Sequence, residues 1–193
     1  MKTKFLHIAT ALLFAGFTSS CSDFLDRYPL DELSDSSFWK TENDAMMAVT
    51  DIYGCLPTWD QDEDINSDNA VHGIKWAAGN ISKGIYDPMD QSWAGSYTPI
   101  RQCNLVLEKV KDIEMSDESR KKIEGQAYFF RAFVYFNLIR SFGDVPYIDK
   151  PLNLTDVEDI TRTPREEVYA KVMADFDKAI EYLPEEWDAA NTP

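Results

Sequence analysis

Residues 124–146, with the sequence EGQAYFFRAFVYFNLIRSFGDVP, constrain the fold more than any other part of this chain. Six aromatic residues stand within nine positions: Tyr128, Phe129, Phe130, Phe133, Tyr135 and Phe136. At about 100° per residue in an α-helix, these side chains point in every direction around the axis. A helix that is apolar on all sides needs neighbours on each face, so we expect a stack of packed helices.

Two helices have recognisable start and stop signals. Thr41 and Asp44 form a capping-box pattern, and Gly54 is placed to end the helix that they begin. Ser116, followed by two acids, opens the aromatic-rich helix, which is expected to run to Ser141, before Gly143.

Two more segments have helical spacing of their apolar residues. In residues 93–110, Pro99 indicates either a kink or a start with Thr98 as the cap. Residues 163–166 (TPRE) predict a capping box with proline at the first helical position, and Pro184 ends that helix. The apolar stripe of this last helix comprises Val168, Val172, Phe176, Ile180 and Leu183.

Residues 55–92 separate the first two helices and have no helical period. Two prolines and three glycines interrupt them, and an irregular stretch of this length in a compact domain is more often functional than not. The fold class that we expect is therefore mostly α, with tetratricopeptide-like helix pairs and a long irregular loop region.

The N-terminus has the pattern of a secretory signal. A positively charged start, a 13-residue apolar run and three small residues precede Cys21, and the run is shorter than the ~20 residues of a membrane-spanning helix. Small residues before a cysteine resemble the lipobox of bacterial lipoproteins, although Thr18 stands where leucine is usual. We expect residues 1–20 to be a signal peptide and residues 21–40 a tether lipidated at Cys21.

The charge of the chain excludes one class of partner. Removal of residues 1–20 would leave 17 basic and 34 acidic residues, a net charge near −17. Such a surface repels nucleic acid and gives no electrostatic attachment to anionic lipid, so acyl chains on Cys21 would be the membrane anchor. Cys55 and Cys103 could pair in an oxidising compartment, and the sequence leaves their pairing open.

Four blocks of the sequence resemble the N-terminal part of SusD/RagB-family outer-membrane nutrient-binding lipoproteins. In the order of that family, they are residues 22–49, 93–110, 124–148 and 163–184, and FFRAFVYFNLIRSFGDVP is the most specific of the motifs. Members of the family run to several hundred residues. Residues 41–193 are therefore interpreted as a SusD-like N-terminal helical domain, apparently truncated at its C-terminus.

The resemblance implies a function as well as a fold. Such proteins are anchored to the outer face of the outer membrane and cap a SusC-type TonB-dependent transporter. They bind oligosaccharides, or peptides in some members, without catalysis and without a cofactor. The alternatives are a peptide-binding member of the same import system and a helical docking scaffold with no ligand.

The candidate glycan-binding residues lie in the irregular loop region. Aromatic faces stack on the C–H side of a sugar, and amide or carboxylate groups bond its hydroxyls. The residues that offer this chemistry are Trp59, Asp68, Asn69, His72, Trp76, Asn80 and Tyr86. The competing interpretation is that Trp76 only packs the loop onto the helices.

Four residues on the predicted helices are assigned to the core instead. Trp93 and Tyr97 share helical spacing with core positions, and Asn104 on the same face is expected to be a buried, hydrogen-bonded amide. Arg131 is expected to pair with an acid such as Glu124.

Metal-binding and catalytic motifs are missing from the sequence. The acidic run at 60–64 suggests calcium, but Ile65 and Val71 stand where an EF-hand loop needs Gly and Glu. The chain contains no G-x-S-x-G, no H-E-x-x-H and no Cys/His zinc spacing. We therefore expect a binding protein rather than an enzyme, with no metal site.

Overall fold

A computed structural model of the chain describes residues 38–56, 84 and 93–187, and these ranges contain four α-helices. They are α1 (Glu42–Ile52), α2 (Trp93–Lys109), α3 (Asp117–Phe142) and α4 (Arg165–Tyr182). Short 3-10 helices lie at Tyr53–Cys55, Val110–Asp112 and Leu154–Val157. Within the described ranges, the β-structure consists of one isolated antiparallel bridge between Val145 and Thr163. The expected mostly α-helical fold is confirmed.

The start of α1 follows the predicted capping box. The Thr41 hydroxyl accepts a hydrogen bond from the Asp44 N–H at 3.3 Å, and the Asp44 carboxylate accepts one from the Thr41 N–H at 2.8 Å. The α-helix ends at Ile52, two residues before Gly54, because the chain tightens there into the first 3-10 turn.

Helix α2 runs from Trp93 through Pro99, so the alternative start with Thr98 as cap is wrong. Pro99 has no N–H, so it cannot donate the usual helical hydrogen bond to the carbonyl of Gly95, four residues earlier. The proline ring is buried. Trp93 and Tyr97 are half-buried and pack against a core cluster that includes Ile100.

Helices α3 and α4 form an antiparallel pair. Residues 125, 129 and 131 of α3 approach residues 182–183, 176 and 175 respectively, so the numbering rises on one helix as it falls on the other. A Cβ on Gly125 would lie 2.9 Å from Leu183 Cγ, so glycine permits the helices to come this close. Gly143 ends α3 at φ 70°, a conformation that favours glycine.

The aromatic residues of α3 are not all covered. Phe130 and Tyr135 are buried, whereas Phe129 and Phe136 are exposed. The prediction of burial on every side is therefore wrong for the described part of the chain. It is also wrong for Ile180, which was expected in the apolar stripe of α4 and is exposed instead. None of the described helices is long and apolar enough to cross a bilayer.

The predicted capping box at the start of α4 is also wrong. The N-cap is Pro164, which has no side-chain hydrogen bond to offer, and the helix begins at Arg165. Thr163 is used elsewhere: its hydroxyl accepts the Tyr147 N–H at 3.3 Å. The Arg165 N–H donates to the carboxylate of Asp144 at 2.9 Å, so a residue from the preceding loop caps α4.

Side chains from α2 and α3 hold the irregular segment 145–150 by its main chain. The amide nitrogen of Asn104 donates to the Ile148 carbonyl at 2.9 Å. The Tyr135 hydroxyl accepts the Ile148 N–H at 2.6 Å and donates to the Ile148 carbonyl at 3.1 Å. The Tyr97 hydroxyl donates to the Pro146 carbonyl at 3.0 Å. The expectation that Asn104 is a hydrogen-bonded buried amide is confirmed.

A buried ion pair joins α3 to α4. Arg131 Nε and Nη2 donate to the two carboxylate oxygens of Asp175, each at 2.7 Å, and Nη1 donates to Asn104 Oδ1 at 2.8 Å. Burial by itself lowers the pKa of Arg131, but the hydrogen bonds and charge of Asp175 outweigh it and hold that pKa above its usual value. Arg131 thus pairs with an acid, as expected, but that acid is Asp175 rather than Glu124. Burial raises the pKa of the Glu124 carboxyl, and the nearby charge of Arg120 opposes the rise.

Candidate ligand-binding cleft

An open cleft of about 880 Å³ lies where the end of α1, the first half of α2 and the second half of α3 meet. Its lining residues are Asp51, Gly54, Cys55, Gly95, Ser96, Thr98, Pro99, Gln102, Phe133, Val134, Asn137 and Arg140. This volume is within the range of small-molecule sites.

The floor of the cleft is apolar. Pro99 and Val134 are buried, and the half-buried Phe133 ring lies 6.3 Å from the Phe129 ring in a stacked arrangement. Flat apolar groups of this kind can accept the C–H face of a sugar ring or an apolar side chain.

Polar groups from all three helices surround that floor. Gln102 Nε2 donates to Asp51 Oδ2 at 2.5 Å, which links α2 to α1. Asn137 Nδ2 donates to the Phe133 carbonyl at 3.0 Å, and the Arg140 guanidinium is exposed and pairs with no acid among the described residues. Gly95, at the start of α2, also lines the cleft.

The thiols near the cleft are free and protonated. Burial raises the pKa of Cys55, which lines the cleft, and that of Cys103, which is buried beneath it in the core. A thiol with a raised pKa is a poor nucleophile. Among the described lining residues, Asp51 is the one carboxylate, whereas glycoside hydrolysis in most families uses two that face each other. The described groups suit reversible binding.

The glycan-binding residues predicted from the sequence lie outside the described residues. They are Trp59, Asp68, Asn69, His72, Trp76, Asn80 and Tyr86. Cys21 and the acidic run at 60–64 also lie outside them. One described end of the irregular region, Cys55, lines the cleft, and Gly95 in the first turn of α2 lines it as well.

The polar residues of the cleft were missed by sequence reasoning. Asp51, Gln102, Asn137 and Arg140 belong to three helices, and each sits on an ordinary polar helix position. Only the packing of α1, α2 and α3 brings them to one place. Helical periodicity places Asn137 and Arg140 on one face of α3. This is the one sequence signal that could have predicted that two of these residues lie close together.

The family model that matches residues 23–193 is described as starch-binding, associating with the outer membrane. SusD-like protein P2 of Formosa agariphila is 30% identical over 199 residues, which cover 95% of this chain and 38% of P2. A SusD-like protein of Bacteroides ovatus is 26% identical, over 97% of this chain and 36% of its own length.

Solved structures of SusD-like proteins are also similar to this chain. The crystal structure of a SusD-like protein from Bacteroides fragilis has a TM-score of 0.71 and 26% identity, over 86% of this chain and 34% of that one. A laminarin-binding SusD-like protein has a TM-score of 0.69 at 23% identity, over 78% and 36%. The chain thus spans little more than a third of the length of these relatives. With the match over residues 23–193, the chain belongs to the SusD/RagB family.

Proposed function

We propose that this protein is a surface lipoprotein of a nutrient-import system and that it binds an oligosaccharide in the cleft between α1, α2 and α3. The observation that carries the proposal is the cleft itself, which combines an open volume of about 880 Å³ with an apolar floor and a polar rim from three helices. Sugars present an apolar C–H face and a ring of hydroxyls, so they need both kinds of surface.

Family membership supports the choice of a sugar as the ligand. The matching family is described as starch-binding, and one structural neighbour is a laminarin-binding protein. The seven predicted residues of the irregular region are proposed to complete the site, because the region begins at Cys55, which lines the cleft, and leads into the first turn of α2, where Gly95 lines it.

Calorimetric titration with malto-oligosaccharides, laminarin oligosaccharides and oligopeptides tests the proposal. Gln102→Ala should weaken binding of the preferred glycan about five- to tenfold, because one net hydrogen bond is worth roughly 1 kcal/mol. Arg140→Ala in the cleft should also weaken binding. Arg165→Ala is its matched control, because that arginine is exposed outside the cleft and contacts Glu166.

The outcomes separate the alternatives. Equal glycan affinity of wild type, Gln102→Ala and Arg140→Ala would refute the cleft as the binding site. Loss of glycan binding in Trp76→Ala alone would place the site in residues 57–83. A response to peptides alone would favour a peptide-binding member. Silence from a folded chain would favour a docking scaffold.

Membrane attachment and a transporter partner are further parts of the proposal. We propose that lipid on Cys21, after removal of residues 1–20, anchors the protein in the outer membrane. There it would close a SusC-type TonB-dependent transporter. Cys21→Ala should move the protein from the membrane fraction to the soluble fraction of a Gram-negative host with lipoprotein processing. Unchanged fractionation would refute lipidation at Cys21.

A further inference from the structure

A second, smaller pocket lies between α2 and the irregular segment that follows α3. Its volume is about 150 Å³, and its lining residues are Tyr97, Ile100, Arg101, Ile148, Lys150 and Leu152. At about 100° per residue, positions 97, 100 and 101 lie on the side of α2 opposite Pro99 and Gln102, which line the cleft. This pocket is therefore separate from the proposed glycan site.

The wall of the small pocket is apolar and held in place. Ile100 is buried, and the other apolar residues of the lining are half-buried. The main chain of Ile148 is fixed on both sides. Asn104 and Tyr135 donate to its carbonyl at 2.9 and 3.1 Å, and the Tyr135 hydroxyl accepts its N–H at 2.6 Å. A ligand would thus meet a preformed wall, which lowers the entropic cost of binding.

The lining of this pocket is poorly suited to a sugar. Among the six lining side chains, the Tyr97 hydroxyl is the one uncharged polar group, and it already donates to the Pro146 carbonyl at 3.0 Å. A sugar carries hydroxyls on most of its ring carbons, and a hydroxyl that leaves water without gaining a partner costs free energy. An apolar cavity of about this volume accepts one benzene molecule. The pocket therefore fits a single ring without hydroxyls.

Two cations line the same pocket. The side chains of Arg101 and Lys150 are exposed, and neither forms an ion pair with an acid in the part of the chain that the structure describes. The chain as a whole has a net charge of −15, so this pair of cations reverses the sign of the charge locally. A guanidinium can bind a carboxylate through two parallel hydrogen bonds, and an ammonium adds a further charge.

We propose that the small pocket binds a free aromatic carboxylate with a single ring. The ring would lie against the apolar wall, where the Tyr97 ring offers an aromatic face. The carboxylate would lie at Arg101 and Lys150. The volume holds one ring and leaves no room for a second, so a small acid fits it better than a polymer does.

Methyl NMR of the protein with carbon-13-labelled isoleucine, titrated with benzoate, tests this site. A bound aromatic ring shifts the resonances of methyl groups beside it, so those of Ile100 and Ile148 should shift together and saturate. Ile123 is the internal control, because it is buried in the other core cluster and should not shift. The absence of a saturable shift at Ile100 and Ile148 would overturn the proposal.

Three further compounds separate the ring from the charge. Benzyl alcohol keeps the ring without the charge, acetate keeps the charge without the ring, and glucuronate carries the charge on a hydroxylated ring. Each should bind about tenfold more weakly than benzoate, or less tightly still. Equal affinity for benzyl alcohol would overturn the need for a carboxylate. Equal affinity for glucuronate would overturn the aromatic ring, because the pocket would then accept a sugar.

Variants of the two cations test their role. Arg101→Gln and Lys150→Gln change exposed side chains, so Tm should stay nearly the same. Each variant should weaken benzoate binding about three- to fivefold, and the double variant about tenfold. Arg165→Gln is the matched control, because Arg165 is exposed outside the pocket and contacts Glu166. An unchanged affinity in the double variant, or an equal loss in Arg165→Gln, would overturn the assignment of the carboxylate to Arg101 and Lys150.

Discussion

Removal of the Asp175 carboxylate on α4 should destabilise the protein strongly. In Asp175→Ala, Arg131 stays buried with its charge uncompensated, because both its Nε and Nη2 bonds to Asp175 are lost. Only the bonds from Nη1 to Asn104 and to the Asp149 carbonyl would remain.

The expected magnitude follows from the burial of both partners. Each is 6% exposed, so water cannot replace the lost carboxylate without opening the α3–α4 interface. Breaking a buried pair by removal of one partner lowers the free energy of unfolding by about 3–5 kcal/mol. That is a large share of the ~5–15 kcal/mol that stabilises a typical domain.

Urea unfolding followed by far-UV circular dichroism measures the loss. Lys178→Ala is the control, because the Lys178–Glu181 pair on the same helix has a similar distance, 3.0 Å, but is exposed to solvent and should contribute little to stability. The double variant Arg131→Met/Asp175→Leu should recover part of the loss, since no charge then remains buried. A loss in Asp175→Ala no larger than in the Lys178→Ala control would refute the reasoning.

Three further predictions concern α3, α4 and α2. Asp144→Ala should lower the free energy of unfolding by about 1 kcal/mol, because the Arg165 N–H loses its cap; an unchanged urea midpoint would contradict this. Gly125→Ala should lower the thermal midpoint, since crowding against Leu183 at 2.9 Å exceeds the gain of ~1 kcal/mol in helix propensity; a raised midpoint would show that Leu183 yields. Burial raises the pKa of the Tyr97 hydroxyl from 10.0 to about 12. The stability that the neutral hydroxyl contributes is therefore complete below pH 10 and is lost as the pH rises through 12. Tyr97→Phe should flatten the fall in the free energy of unfolding across this window, and an unchanged pH profile would contradict the raised pKa of Tyr97.

Local signals in the sequence predicted the helices well. The Thr41–Asp44 capping box, the Ser116 cap and the Gly143 stop depend on residues within four positions of one another, and all are present in the structure. The TPRE pattern failed at Thr163 for a non-local reason, since the Tyr147 N–H takes its hydroxyl. A tertiary contact therefore decided against this capping signal.

The partners of buried and cleft residues were beyond the reach of local patterns. Asp175 lies 44 residues from Arg131, and Gln102 lies 51 residues from Asp51, so nothing near either residue indicates its partner. The exposure of Ile180 was equally hidden, because a helix with two apolar stripes has the same periodic pattern as one with a single broad stripe.

The way in which segment 145–150 is held affects which of its residues can vary among related proteins. The hydroxyls of Tyr135 and Tyr97 bind main-chain groups of Ile148 and Pro146, and the Asn104 amide nitrogen donates to the carbonyls of Ile148 and Lys150. Any residue that keeps the same backbone path would present those carbonyls equally well. Related proteins can thus change the exposed side chains at Asp149 and Lys150 without changing the shape of the segment, whereas Val145 is buried in the core and the Tyr147 ring packs against Tyr135.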